Sequence, residues 1–393
     1  MKILQINSVY NEFSSTGRNV YELHHYLIDK GEESFVITFD KGQDEDNIFH
    51  FYDSIGSKMH AIASRLTGLQ GYFSLLNTKK VIEKIDSISL DVVFLHVLHS
   101  NCINLKELFS YFENKSFKVV LVLHDVWYFT GHCCYFTQYN CMKWQENCGN
   151  CPGKKDWNTS WIFDQSRKCL NDKKDMYSKI SNRLYALGVS DWIAREANKS
   201  ILHDAKQIIR VYNWIDLDIF KPTYKDGNYV LCIASLWTDN KGLSKIVQFA
   251  KDNPEIDVHM IGKIESANLP KNIKVLGVVK NQAELAKEYA NASVFLNPSI
   301  QETFGKTTAE ALACGTPVVV LNTTACPELV DESVGHVVEN NNQDELNKAV
   351  LDCMRKDKSY YSKKCREKAE KLFDKDKNLH EYYEFIQSCI TQK

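Results

Sequence analysis

Asn297-Pro298-Ser299-Ile300-Gln301-Glu302-Thr303-Phe304-Gly305-Lys306-Thr307-Thr308-Ala309-Glu310, running on to Gly315-Thr316-Pro317, is the stretch that decides the fold. An apolar strand, Ser293 to Leu296, leads into it, and the loop that follows opens a helix ending at Gly315-Thr316-Pro317. Thr307 or Thr308 is placed to cap that helix, Glu310 falls in its first turn, and Gly315 suits the left-handed position after its end. Backbone N–H groups at such a helix start, near Gly305 and Lys306, form an anion site best suited to a phosphate. Glu302 sits on the loop facing the bound group. Glu310 on the helix is ready to accept hydrogen bonds from a sugar hydroxyl. A phosphate cradle between two hydroxyl-binding acids describes a sugar-nucleotide site.

Working outward, strands alternate with helices along the whole chain. The first half reads as Ile3–Asn7, a helix near Asn19–Lys30, Ser34–Thr38, a helix near Thr78–Ile85, Val92–His96, Val119–His124, and Leu187–Ser190 followed by a helix from Asp191. The second half reads as Tyr229–Ala234, a helix from Leu243, Val258–Ile261, Ile273–Leu276, Val294–Asn297 and Val318–Leu321. Strands apolar throughout and separated by helices predict parallel sheets covered on both faces. A less regular stretch at 212–227 divides them, so the expected architecture is α/β with two doubly wound, Rossmann-like domains. The first takes residues 1–211 and carries a cysteine-rich insertion at about 131–153. The second takes 212–375. The remaining 376–393 carry Leu379, Tyr382, Tyr383, Ile386 and Cys389 at helical spacing, an amphipathic helix for packing on a domain surface.

Bulk properties narrow the function classes. A length of 393 residues accommodates two domains, and 44% hydrophobic with 25% charged residues is the composition of a soluble globular protein. A formal net charge of −2 gives no support for nucleic-acid binding. No apolar run approaches the roughly 20 residues a bilayer span needs. The first residues, Met1-Lys2-Ile3-Leu4-Gln5-Ile6, read as a strand rather than a signal peptide, and thirteen cysteines without an export signal read as reduced thiols. The expected location is the cytoplasm.

Five elements, in order, carry a family resemblance: Asn213-Trp214-Ile215-Asp216, Lys241-Gly242, Ile261-Gly262, the Glu302-x7-Glu310 pair, and Pro327-Glu328. Together they resemble the retaining GT-B glycosyltransferases of family 4. That resemblance implies two Rossmann-like domains facing across a cleft. It also implies transfer of a sugar from a nucleoside diphosphate sugar with retention of configuration and no catalytic metal. Glu310 would then hold the nucleotide ribose and Glu302 the hydroxyls of the transferred sugar. Lys241, Lys306 and the helix start would stabilise the departing diphosphate. Ser235, Gly262, Lys263, Thr303, Phe304, Gly305 and Thr307 would line the donor. Family members often carry an arginine where this chain has Leu236. Thr16 and Gly17, in a first loop poorer in glycine than usual, would bring N–H groups to the diphosphate, and Arg18 would add charge on the acceptor side. Leu123-His124-Asp125 resembles the family's His-Asp strand end, which makes His124 the contact to the transferred sugar; His96, His99 and Asp125 would line the acceptor side.

A cluster of cysteines follows that strand: Cys133, Cys134, Cys141, Cys148 and Cys151. Cys148-x2-Cys151 has metal-knuckle spacing, and Cys133 with Cys141 would complete a four-thiolate structural zinc site. Packed reduced thiols and disulfides are the competing readings; Cys134 is surplus and His132 is a substitute ligand. A subset of the family, largely from bacterial surface-polysaccharide pathways, carries a similar insertion. The expected acceptor is a glycan or lipid-linked sugar, with peripheral membrane association by analogy. The alternative is a non-catalytic nucleotide-sugar or glycan-binding protein on the same fold.

Overall fold

The structure, a computed structural model, describes residues 1–391 apart from 43–44, 224, 226, 266–267 and 357. The chain folds into two compact units, Met1–Val211 with the residues from Leu379 onward, and Tyr212–Asn378.

The first unit is built on β1 (Lys2–Asn7), β2 (Glu33–Thr38), β3 (Ile48–His50), β4 (Val92–Leu95), β5 (Lys118–Leu123), β6 (Leu184–Gly188) and β7 (Gln207–Arg210). These form one sheet in the order β3-β2-β1-β4-β5-β6-β7, parallel at every pairing. The central strands are apolar on both faces because helices cover both, and Val119 to Leu123 are fully buried. Strand order reverses between β1 and β4, where Ile6 lies opposite Leu95. The carboxyl ends of β1, β4 and β5 therefore open at a topological switch point, the place where such sheets bind ligands.

The second unit holds β8 (Tyr229–Leu236), β9 (Asp257–Lys263), β10 (Ile273–Gly277), β11 (Val294–Asn297), β12 (Val318–Leu321) and β13 (Gly335–Val338). They form a parallel sheet in the order β10-β9-β8-β11-β12-β13. Its order reverses between β8 and β11, so the loops after those strands open at a second switch point.

Three edge strands, β3, β7 and β13, lie outside the expected set; each has only three or four residues and little apolar run to signal it. Two boundaries also move. β6 ends at Gly188 rather than running to Ser190, because Ser190 caps the helix Asp191–Asn198 by accepting from the Ile193 N–H at 3.3 Å. The first helix begins at Ser15 instead of Asn19, capped by Ser14. The helix Lys375–Thr391 closes the chain; from Leu379 on it belongs to the first unit, where Tyr382 and Phe385 pack against Phe94 and Tyr185.

Candidate active site

Three loops of the second unit meet at the carboxyl edge of β8, β11 and β12. The loop after β11 is tied to the loop after β8 by the Ile300 N–H donating to the Asn240 carbonyl at 3.0 Å. It is tied to the loop after β12 by Thr323 Oγ1 donating to the Ser299 carbonyl at 3.1 Å, and by the Ala325 N–H donating to the Glu302 carbonyl at 3.1 Å. Gly242 is in the left-handed region at φ +77°, and a Cβ there would lie 2.4 Å from the Pro298 carbonyl oxygen. That glycine lets the first two loops touch.

Lys241 and Glu302 come together at the meeting point. Lys241 Nζ donates to Glu302 Oε1 at 2.6 Å, with both side chains partly exposed. Thr324 Oγ1 accepts from the Glu302 N–H at 3.0 Å and so fixes the backbone of the acid. Thr324 itself sits at φ +48°, a conformation β-branched residues rarely adopt. Beneath the pair lies the fully buried thiol of Cys326, pushed well up by burial, by Glu302 and by Glu328, against the opposing effect of Lys241.

The helix after the loop is Lys306–Ala313, and its cap is Gly305 rather than a threonine. The Gly305 carbonyl accepts from the N–H groups of Thr308 and Ala309. Thr308 turns inward instead, its Oγ1 accepting from Asn297 Nδ2 at 3.0 Å. Gly305 takes φ +86° with ordinary room around a notional Cβ, so backbone conformation is what calls for glycine here. The helix starts with the N–H groups of Lys306 and Thr307 in its first turn, the half-dipole expected to favour an anion. Gly315 holds the left-handed position after the helix at φ +71°.

Glu310 lies a turn deeper than expected and is buried, its Oε2 accepting from the Tyr289 hydroxyl at 2.9 Å. Burial, then Glu310, pushes the Tyr289 hydroxyl well above its usual value, so it stays a donor. Tyr289 comes from the helix Gln282–Asn291, where no motif marks it. Phe304 is likewise a core ring, 5.5 Å from Phe373 and 6.0 Å from Tyr212. Thr303 is buried beside it. Ser235 and Lys263 are exposed at the ends of β8 and β9. Between those strands Gly262 makes a packing contact: a Cβ there would fall 1.7 Å from the Ala234 carbonyl oxygen. Leu236, where the family pattern expects arginine, is 38% exposed.

In the first unit the ends of β4 and β5 carry four of the expected residues as two pairs. His96 Nδ1 and His124 Nε2 lie 3.0 Å apart with stacked rings. His96 is buried, and burial, then the neighbouring His124, holds its pKa well below the usual value. His99 Nε2 lies 2.8 Å from Asp125 Oδ2, and Asp125 Oδ1 accepts from the Trp127 N–H at 2.8 Å. Burial works to raise the Asp125 carboxyl, but His99 and that N–H outweigh it and lower its pKa. Asp125 thus orients His99 and fixes which ring nitrogen faces it.

The first-loop residues take structural places. The Gly17 N–H donates to Ser14 Oγ at 3.2 Å as part of the helix cap. Thr16 lies in that same first turn, and Arg18 Nε donates to the Glu12 carbonyl at 2.6 Å.

All thirteen cysteines carry free thiols. Burial first, then the neighbouring Cys151, Cys148 and Cys141, pushes Cys133 up to about 12. Among the described residues, the group of three or more metal-type ligands whose ligand atoms all lie within 4.8 Å is His99, Asp125 and Cys134. Cys133, Cys141, Cys148 and Cys151 are neighbours in the insertion but do not form such a group. The segment leading into the insertion is anchored by Lys173, buried on the helix Ser166–Ser178. Its Nζ donates to the carbonyls of Trp127 and Thr130 and sits 3.9 Å from the centre of the Trp127 ring.

Residues 216–372 match the family "Glycosyl transferases group 1". The putative colanic acid biosynthesis glycosyl transferase WcaC of Escherichia coli (strain K12) is 25% identical over 362 residues, 86% of this chain and 87% of that one. O-antigen chain mannosyltransferase B of Escherichia coli is 38% identical over 85 residues, 22% of each chain. Sucrose-phosphate synthase from Thermosynechococcus elongatus superposes with a TM-score of 0.73 over 100% of both chains at 14% identity. Anabaena HepE in complex with UDP does so at 0.66 over 99% of this chain and 100% of that one, at 15% identity. The fold is GT-B, and the group 1 domain in the second unit together with that fold supports a GT-B glycosyltransferase.

Proposed function

We propose that this protein transfers a sugar from a nucleoside diphosphate sugar to a hydroxyl of a glycan or lipid-linked oligosaccharide, with retention of configuration, in surface-polysaccharide synthesis. The observation that carries the reading is the 2.6 Å pair between Lys241, on the loop after β8, and Glu302, on the loop that opens the helix bearing Glu310. An arriving diphosphate draws the Lys241 ammonium toward itself, which releases the Glu302 carboxylate to accept hydrogen bonds from the transferred sugar. Glu310, oriented by Tyr289, accepts from the nucleotide ribose. Lys241, Lys306 and the helix start then stabilise the negative charge that grows as the sugar–phosphate bond breaks. The acceptor oxygen bonds to the anomeric carbon on the face the diphosphate leaves, and its proton passes to a phosphate oxygen. His124 contacts the transferred sugar, and His99, oriented by Asp125, binds an acceptor hydroxyl. The chain's own lysines supply the cationic charge in this scheme.

HepE was crystallised with UDP, so uridine donors come first in the test. Nucleoside diphosphate release is measured with uridine, guanosine and other sugar donors, using Glu310→Ala as control. Release from one donor, lost in the variant, supports the reading. Saturable donor binding with no release at any acceptor replaces it with a binding protein on the same fold. Zinc on Cys133, Cys141, Cys148 and Cys151 is proposed only as a structural ion that would have to draw the four sulfurs together.

A further inference from the structure

The helix Ser54–Thr67 is inverted relative to an ordinary surface helix. Its buried residues are His60 and Ser64. Ile55, Met59, Ile62 and Leu66 recur at the spacing of one helical face, and all four are exposed, Ile55 by 72% and Met59 by 66%. On the helix surface this stripe lies opposite His60 and Ser64. A helix that turns its apolar face away from its own core has that face available to something else.

The stripe does not end with the helix. The segment Trp161-Ile162-Phe163 lies alongside it, with the Trp161 N–H donating to the Arg65 carbonyl at 2.6 Å, and all three side chains are exposed. The Phe163 carbonyl packs at Gly68, the residue that ends the helix. The charges bordering the surface are basic. Lys58 and Arg65 flank the stripe on one side, the Arg65 guanidinium is 5.9 Å from the centre of the Trp161 ring, and Lys154 Nζ donates to the Ile162 carbonyl. The nearby acids are engaged internally: Asp156 with Gln138 and Tyr139, Asp164 with the Cys151 and Ser166 N–H groups.

We infer that this face of the first unit docks onto an anionic lipid bilayer. The apolar stripe with Trp161 enters the headgroup boundary while Lys58, Arg65 and Lys154 meet the lipid charges. Charge favours this occupant over a second copy of the chain, since a two-fold pairing through the same patch sets the basic flanks against one another. The inference deepens the lipid-linked acceptor of the proposed function. It is read by binding rather than turnover, so the two fail separately.

The test sediments the full chain with vesicles of phosphatidylcholine, alone or mixed with phosphatidylglycerol. Binding is expected to the mixed vesicles, to weaken with salt, and to fall by about tenfold or more in Ile62→Glu/Leu66→Glu. Lys58→Glu/Arg65→Glu is expected to lose the preference for the mixed vesicles. Both variants alter exposed positions, so their thermal midpoints should match the parent and exclude misfolding as the cause. A parent that sediments with neither vesicle, or a double variant that sediments like the parent, overturns the inference. So does concentration-dependent self-association of the parent that Ile62→Glu abolishes, which assigns the face to a second copy.

Discussion

Replacing Glu302 by glutamine removes one charge from a partly exposed pair and keeps the shape. Such a pair contributes at most about 1 kcal/mol to folding. The same carboxylate holding the hydroxyls of the transferred sugar in reactive geometry contributes far more, on the order of a hundredfold in rate. Glu302→Gln should therefore lower donor turnover by about that factor while moving the thermal midpoint by only a few degrees. Parallel calorimetry and diphosphate-release assays check this, and equal losses in both would reduce the pair to a structural contact. Lys241, Glu302 and Glu310 stand out in the sequence as candidates because a lysine and two acids at strand ends and helix starts match the demands of a charged sugar donor. Tyr289 and Thr324 do not. Each is an ordinary residue in its own segment and acquires its role only when a second segment arrives beside it.

At the scale of elements, the loop after β12 holds the loop after β11 through a strained residue. Thr324 combines left-handed backbone with a hydroxyl that accepts from the Glu302 N–H. Thr324→Gly relieves strain worth about 1 kcal/mol and forfeits a hydrogen bond of similar worth. Stability should stay nearly constant while the donor KM rises, because Glu302 is no longer held. Urea unfolding beside donor titration decides it, and an unchanged KM would show that the loop is held elsewhere. The strands themselves were easy to read where they are buried on both faces: five apolar residues in a row, Val119 to Leu123, suit a central parallel strand and little else. The helix caps were harder. A threonine at a helix start is a good cap in isolation, but Asn297 claims Thr308, and the capping position passes to Gly305. The helix Ser54–Thr67 escaped a functional reading because its pattern suits a buried face; only tertiary structure shows which side is turned out.

Across the whole molecule, several histidines are buried neutral. Burial lowers His24 and His60 to about 4, and His96 well below its usual value. In the unfolded chain they titrate near 6.5. Between those values the unfolded state binds protons that the folded state does not, so stability rises with pH and is lost as pH falls below about 6.5. The urea midpoint should accordingly drop between pH 7 and pH 5, and a flat or rising midpoint would contradict the burial assigned to them. Metal analysis tests the cysteine insertion at the same scale. About one zinc per chain, lost in Cys148→Ser/Cys151→Ser together with several degrees of thermal midpoint, is the outcome a structural ion requires. A metal-free parent would leave Lys173 as the anchor of that region.

The closing helix has a further consequence, one of timing. The first unit is discontinuous in the chain: its sheet is complete by Arg210, yet Tyr382 and Phe385, which cover Phe94 and Tyr185, come only after the entire second unit. During synthesis the apolar surface under that helix therefore stays uncovered while residues 212–378 emerge. A nascent chain stalled before Leu379 leaves that surface uncovered, which makes this interval of translation the point at which a chaperone would be needed most.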